Sequence, residues 1–447
     1  MELSTFSSDS TETLLCRLGS RLGFLGLMLF AFFAFLGTAG AHLGLVLMVV
    51  ALLMSYQQAW PVLSREPMCW VIFFGIIYVL LRTAYIAFVS PELNPLNYQI
   101  AWDWLRLSLF FVIAWFLRGS LTRIKWFLLL SLLGLLLGVG IRTDWTTLWP
   151  LIGTTHREGF GWGINTFGLF SVSVLLGLIV MGSRLLKAAQ GKRLVFISSV
   201  GGWLLLVIVM LQMSLQTGTK GAWLAGVIVL ICTLILLAWK DYRDGSAAAT
   251  LVGLVVVAAM FAIIALNVDS IGSRLSVGDE LKVMFSADAL EDAAPSSVMG
   301  RVYVWHLAVE AWSQAPFFGL GSVASSELIA NASNERMHIL SHFHNMYLEV
   351  LVAWGLVGAI VAFTVLVLLF RSLWNSYYIG VLPLDYALLI GALLVVWLLW
   401  GFTEFRMIHV DGMFHWYLIA GLAYAVCFHR RGEGVQSLKK DKTSCVE

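Results

Sequence analysis

Residues 346–370 read MYLEVLVAWGLVGAIVAFTVLVLLF, a stretch in which Glu349 is the one charged side chain. A run of about 20 apolar residues crosses the hydrocarbon core of a bilayer as a helix. The apolar residues are continuous rather than alternating, which excludes a membrane β-strand. Comparable runs recur near 23–38, 40–57, 68–89, 103–117, 124–141, 161–182, 194–216, 220–239, 248–266, 382–403 and 412–429. The reading is an all-α polytopic membrane protein with about 12 transmembrane helices. Gly37 and Gly40 sit at the junction of the first two runs, which could also form one long tilted helix.

Composition points the same way. Of 447 residues, 60% are hydrophobic and 12% charged, and the mean hydropathy is +0.87. A soluble globular chain carries about 25% charged residues. With 19 Trp, 28 Phe and only 8 Pro, the chain is neither disordered nor collagen-like. A net charge of +2 gives no reason to expect a nucleic-acid partner.

Charge placement sets the orientation. If the N-terminus is cytoplasmic, 18 of the 28 Lys and Arg fall in short cytoplasmic segments, as the positive-inside rule requires. The other ten are Arg82, Arg106, Arg142, Arg157, Lys220, Arg274, Lys282, Arg301, Arg336 and Arg406, all at or beyond the outer membrane edge. Both termini are then cytoplasmic. The first 22 residues are polar and show no cleavable signal peptide. None of the five cysteines falls in an outer loop, so neither a disulfide nor a zinc motif is expected.

Four regions follow: an N-terminal membrane domain of about nine helices (1–266), a large outer loop (267–345), the last three helices (346–429) and a cytoplasmic tail (430–447). Loops of that length within a compact protein are usually functional. This one opens with Asp279, Glu280, Asp288, Glu291 and Asp292. Its middle predicts an amphipathic helix from Arg301 to about Ser313, ended by Pro316 and the glycines of FFGLGS.

Two constellations can carry chemistry. Arg82, Arg106, Lys220, Arg301 and Arg406 are cations at or just inside the outer edge. Ionisable groups in membrane segments usually face a cavity or a partner, and several at one depth would form an anion site. The alternative is snorkelling, or pairing with Asp103, Glu404 and Asp411. The second constellation is His338, His342, His344, Asn345 and Glu349 in MHILSHFHNMYLE. His338 and His342, four apart, would share a helix face, and His342 and His344 form a His-x-His pair. A metal centre needs three or four converging ligands, and no fourth is evident. The histidines could instead be structural, or one could act as a general base near neutral pH. Together, cations and a histidine at one membrane edge suggest a reaction on a lipid phosphate. The cations would stabilise a leaving pyrophosphate, and the histidine would deprotonate an incoming hydroxyl. A transporter could carry similar residues, but clustering at one edge favours surface chemistry over a transport path.

His344-Asn345, nine residues, Gly355, two residues and Gly358 resemble the signature of the O-antigen ligase and polymerase superfamily. The wider block HFHNMYLEVLVAWGLVG at 342–358, the stretch GRVYVWHLAVEAWSQAPFFGLGS at 300–322 and TGTKGAWLAG at 217–226 resemble three blocks of that family, in the same order. The resemblance implies a glycosyltransferase C-like fold. It also implies a metal-independent, cofactor-free, inverting enzyme at the periplasmic face of the bacterial inner membrane, moving glycan from undecaprenyl pyrophosphate to a sugar acceptor. Arg301 matches the family's loop arginine and His344 its signature histidine, with His342 beside it. Lys220 stands where the family usually has arginine, which keeps the charge but loses the bidentate fork. The expected site is thus His344 and His342 for catalysis, and Arg301, Lys220, Arg82 and Arg406 for the pyrophosphate, with no metal. Gly355 and Gly358 are expected to be helix-packing positions. The resemblance favours an O-antigen ligase, whose partners are the carrier-linked glycan donor, the lipid A-core acceptor and membrane lipids. An O-antigen or exopolysaccharide polymerase and a protein-glycosylating ligase are the alternatives within the superfamily.

Overall fold

The computed structural model describes residues 6–146, 157–188, 193–268 and 298–428. The acidic stretch from Asp279 to Asp292 and the tail at 430–447 lie outside these residues. All regular secondary structure among the described residues is helical, without a β-strand. In chain order the helices are α1 (Phe6–Phe33), α2 (Thr38–Met54), α3 (Tyr56–Leu63), α4 (Pro67–Val89), α5 (Asn94–Arg106), α6 (Phe110–Leu117), α7 (Leu121–Arg142) and α8 (Ile164–Ala188). They continue with α9 (Arg193–Thr217), α10 (Lys220–Asp244), α11 (Ala248–Leu266), α12 (Val298–Gln314), α13 (Ala324–Ala330), α14 (Met346–Tyr378), α15 (Leu384–Trp400) and α16 (Val410–Tyr424).

Helices lie over all twelve apolar runs of the sequence. Among the described residues, 9 are long and apolar enough to cross a membrane, or 10 if α2 and α3, bent by 91° at their junction, count as one span. The protein is an all-α polytopic membrane protein. The first two runs form two helices rather than one. The chain turns after Phe33, and α1 and α2 then pack backbone to backbone at Gly26 and Gly44, where a Cβ on either would stand 2.6 Å from the other's carbonyl oxygen.

The centre of the bundle is aromatic. α16 is buried from Gly412 to Tyr424, among the fully buried Trp397, Trp400, Phe30 and Phe127. Without water, every polar tip inside needs a partner from the protein. The Tyr417 hydroxyl donates to the Arg106 carbonyl (2.7 Å), the Trp416 indole to that of Leu107 (3.2 Å) and the Tyr424 hydroxyl to the Glu66 carboxylate (2.8 Å). These bonds tie α16 to the α5–α6 segment and to the start of α4.

Two features prepare the site. α12 buries Met299, Gly300, Val304, Ala308 and Ala311, one helical stripe, against the first turns of α14. α14 itself is broken. Gly355 has φ +61° and ψ −162°, a conformation essentially reserved for glycine. The 316–321 loop fills the gap in the hydrogen-bond ladder. Leu320 N–H donates to Val352 O (2.7 Å), Gly321 N–H to Ala353 O (3.0 Å), Leu356 N–H to Pro316 O (2.9 Å) and Val357 N–H to Phe317 O (3.1 Å). Gly355 is therefore a helix break rather than the packing position expected of it: a Cβ there would run into the Phe317 carbonyl. At Gly358 the near neighbour is the Trp354 side chain of the same helix, across the break, rather than another helix.

Candidate functional site

The turn that leads into α14 is fixed by its own polar side chains. Asn345 caps the helix, accepting from Tyr347 N–H (3.0 Å) and Leu348 N–H (3.1 Å), and its amide donates to the Phe402 carbonyl (3.2 Å). Met346 N–H donates to the Gly401 carbonyl (2.7 Å). The buried Glu349 carboxylate reaches back to accept Phe343 N–H (2.6 Å). With both sides held, His344 adopts φ +51°, the left-handed region that a non-glycine residue seldom occupies. Backbone strain of this kind concentrates at functional positions.

The strained turn carries His344 onto Glu404, in the segment between α15 and α16. His344 Nδ1 lies 3.0 Å from Glu404 Oε1, and His342 Nε2 lies 3.9 Å from the same oxygen. Burial works against the charge on Glu404. The hydrogen bond from His344 and the Phe405 N–H overcome it, and hold the carboxyl down at about 2. An ionised carboxylate only accepts, so His344 Nδ1 is the donor. Its Nε2 lone pair is then open, with no partner among the described residues.

His342 is constrained to the complementary state. Its Nδ1 accepts the backbone N–H of His344 (3.2 Å), which leaves the proton of the neutral ring on Nε2, directed toward Glu404. Burial first, then the neighbouring His344, keep His342 neutral, with its pKa pushed down to about 3 against the pull of Glu404. His342, His344 and Glu404 could present metal-ligand atoms within 4.8 Å of one another. A metal on His342 Nε2 would move the ring proton to Nδ1 and cost the bond from the His344 N–H.

Glu404 is held from its other side as well. Its Oε2 accepts from the Asn165 amide at the start of α8. The Asn165 carbonyl faces an Arg157 guanidinium nitrogen (3.4 Å), and Arg157 Nε donates to the Thr217 carbonyl (2.8 Å) in the turn before α10. This chain joins α8, α9 and the α15–α16 segment behind the histidines.

Of the expected cations, Arg406 stands nearest the histidines. Its guanidinium covers Gly163, where a Cβ would come within 2.7 Å of one of its nitrogens, and its Nε is buried with no partner among the described residues. It lies close enough to His342 and His409 to oppose protonation of both. Burial and then Arg406 hold the His409 pKa down. Arg301 is half-buried on α12, one turn before Trp305, whose indole donates to the carbonyl of Phe343 (3.0 Å). Lys220 is exposed and opens α10, and the next residue, Gly221, packs on the Thr403 side chain beside Glu404.

The other candidates lie elsewhere. The Arg82 guanidinium donates to the Gly319 carbonyl and lies 4.8 Å from the Tyr85 ring centre. Arg106 pairs with Asp103, the alternative its position in the sequence allowed. His338 and His342 share no helix face, because a short 3₁₀ turn (Glu335–Ile339) precedes an irregular stretch, and His338 bonds the Ala332 carbonyl (2.9 Å). Sequence reasoning did not find Glu404 as the partner of the histidines, nor Asn165 and Arg157 behind it. Glu404 and Arg157 were visible only as charges at the membrane edge.

A cavity of about 420 Å³ opens between α4, the α5–α6 segment and α14–α16. Its walls include Gly75, Val79, Trp104, Val350, Trp354 and Trp397. Met346 and Met407, the neighbours of Asn345 and Arg406, also line it. An aromatic series connects it to the histidines: Trp354 to Trp104 (5.8 Å between ring centres), Trp104 to Phe405 (5.8 Å) and Phe405 to His342 (5.7 Å). The apolar cavity thus approaches the His342–His344–Glu404 cluster through Met346, Met407 and the Phe405 ring.

Residues 203–363 match the family described as O-Antigen ligase. No curated protein matched the chain.

Proposed function

We propose, from the O-antigen ligase family assignment of residues 203–363 and the geometry around Glu404, that this membrane protein transfers O-antigen polysaccharide from undecaprenyl pyrophosphate to lipid A-core oligosaccharide. The observation that carries the proposal is the Glu404–His344 pair, which leaves His344 Nε2 as an open base on a buried carboxylate. A carboxylate on one ring nitrogen fixes the tautomer and stabilises the imidazolium that forms when the other nitrogen takes a proton.

The reaction is then a single displacement. His344 Nε2 removes the proton of the acceptor hydroxyl. The hydroxyl oxygen attacks the anomeric carbon from the face opposite the pyrophosphate. The bond from that carbon to the pyrophosphate oxygen breaks, the pyrophosphate leaves with the electron pair on its lipid carrier, and the anomeric configuration inverts. Arg406, with Arg301 and Lys220 from the neighbouring elements, stabilises the charge developing on the leaving group. His342, kept neutral, supports Glu404 and leaves proton transfer to His344. The apolar cavity takes the first prenyl units of the carrier, so that the pyrophosphate arrives beside Arg406. The proposed step uses no metal. The fold is of the glycosyltransferase C kind, the site faces the periplasm, both termini are cytoplasmic, and the membrane is the bacterial inner membrane.

The test is deletion of the gene in its host, with lipopolysaccharide and carrier-linked glycan analysed side by side. The proposal expects uncapped lipopolysaccharide and long glycan accumulating on the carrier. Single repeat units on the carrier, with cores bearing at most one unit, would make the protein a polymerase. Unchanged profiles would remove the proposal.

A further inference from the structure

The cavity, the break in α14 and the α12 segment meet at two residues of α4 that take no part in the chemistry above. The Tyr78 hydroxyl lies 2.9 Å from the Phe318 carbonyl and 2.7 Å from the Trp354 carbonyl, and shares its proton between them. One turn further along α4, Arg82 donates to the carbonyl of Gly319. The three carbonyls belong to the 316–321 loop and to the last residue before the break in α14. Gly319 and Gly355 lie so close that a Cβ on Gly319 would stand 2.6 Å from the Gly355 nitrogen, and φ is positive at both. No side chain fits between the two backbones, so their alignment depends on the four backbone bonds across the break and on the donors from α4.

This junction lies between residues the transfer needs. The loop continues from the end of α12, which carries Arg301, and the first segment of α14 begins at the His344–Asn345 turn. Tyr78 and Trp354 also line the cavity assigned to the carrier chain, with ring centres 6.3 Å apart. We infer that Tyr78 and Arg82 are positioning residues: they lock the 316–321 loop into the break of α14, and so fix Arg301 on α12 and His344 on α14 relative to each other over the mouth of the carrier cavity. Arg82 then contributes to transfer through a backbone carbonyl rather than by binding the donor's pyrophosphate. What is measured as activity rests on the transferase reading, whereas the lock itself is a property of the fold.

The experiment has two readouts on the full-length protein in lipid nanodiscs. The first is hydrogen exchange, followed by mass spectrometry over 316–322 and 350–360. Tyr78→Phe keeps the ring and its packing but removes the proton, and should speed exchange at Leu320, Gly321, Leu356 and Val357 while α7 and α10 keep wild-type protection. The second is steady-state transfer with an undecaprenyl-pyrophosphate glycan. Tyr78→Phe and Arg82→Ala should each lower kcat by about five- to tenfold with little change in the donor KM, as the loss of one hydrogen bond implies. Arg82→Lys should recover most of that loss, because a carbonyl needs one donor and not a fork. If Arg82→Ala does not fold, Arg82→Lys and Tyr78→Phe still provide both readouts. Wild-type exchange in Tyr78→Phe would overturn the lock whichever reaction the site performs. A raised donor KM in Arg82→Ala with unchanged kcat would return Arg82 to pyrophosphate binding.

Discussion

The proposed chemistry rests on one imidazole and one carboxylate that the chain separates by 60 residues. His344→Ala should abolish transfer while the protein still accumulates in membranes, measured as capped lipopolysaccharide per unit of protein. Glu404→Gln should leave the fold intact and lower kcat by about 10²- to 10⁴-fold, because the amide no longer enforces the tautomer or stabilises the imidazolium. His342 yields a pH prediction. Its folded pKa, about 3, lies below the ordinary 6.5. The unfolded chain therefore binds the extra proton first. The stability contributed by neutral His342 is complete above pH 6.5 and is lost progressively as pH falls toward 3. The melting temperature in detergent should fall on acidification from pH 6.5 to 4.5, and His342→Gln should flatten that slope. Glu404, held at about 2 against an ordinary 4.5, adds to the slope only toward the bottom of that window, where the unfolded carboxyl begins to take its proton. His344 and Arg406 were legible in the sequence, one from its motif and one as a cation at the membrane edge. Glu404 was legible only as a neighbour for Arg406. Which of two nearby groups a carboxylate chooses is set by three-dimensional packing, and here the left-handed turn at His344 decides it.

At the scale of elements, the helices themselves were readable. Apolar length alone located all twelve runs, and the predicted helix from Arg301 to about Ser313 falls within α12. The junctions between elements were not. Residues 350–370 carry no charge, so periodicity carries no sign of a break, and Gly355 looked like one more small residue in a membrane helix. Its partner is the FFGLGS loop, read from the sequence only as a helix stop. Gly355→Ala combines a forbidden backbone conformation, about 1–3 kcal/mol, with collision against the Phe317 carbonyl. It should reduce the yield of folded protein, scored by monodispersity in detergent, whereas Gly380→Ala, a positive-φ glycine with open space around it, should be milder. Asn345→Ala removes the cap of α14 and should cost about 1 kcal/mol of stability. It should cost more in activity than in melting temperature, since the same residue holds the His344 turn against Phe402.

At the scale of the molecule, the bundle works as a holder that brings three regions to one point: the α14 turn, the α15–α16 segment with Glu404 and Arg406, and the mouth of an apolar cavity. The cavity gives a prediction of its own. Ala362→Trp, on the cavity wall and away from the histidines, should raise the KM for a donor on a full-length polyprenyl carrier. It should leave turnover of a donor on a short prenyl chain near wild type. Equal effects on both donors would place the carrier elsewhere. The central claim is that His344, oriented by Glu404, is the base that activates the acceptor. Its most direct test is transfer from undecaprenyl-pyrophosphate glycan to lipid A-core by purified protein in nanodiscs, with chelator present, comparing wild type, His344→Ala and Glu404→Gln as functions of pH. The account predicts chelator-resistant transfer by wild type, no transfer by His344→Ala, and a severely reduced rate for Glu404→Gln at every pH. Near-wild-type transfer by either variant, or chelator inhibition reversed by added metal, would contradict it.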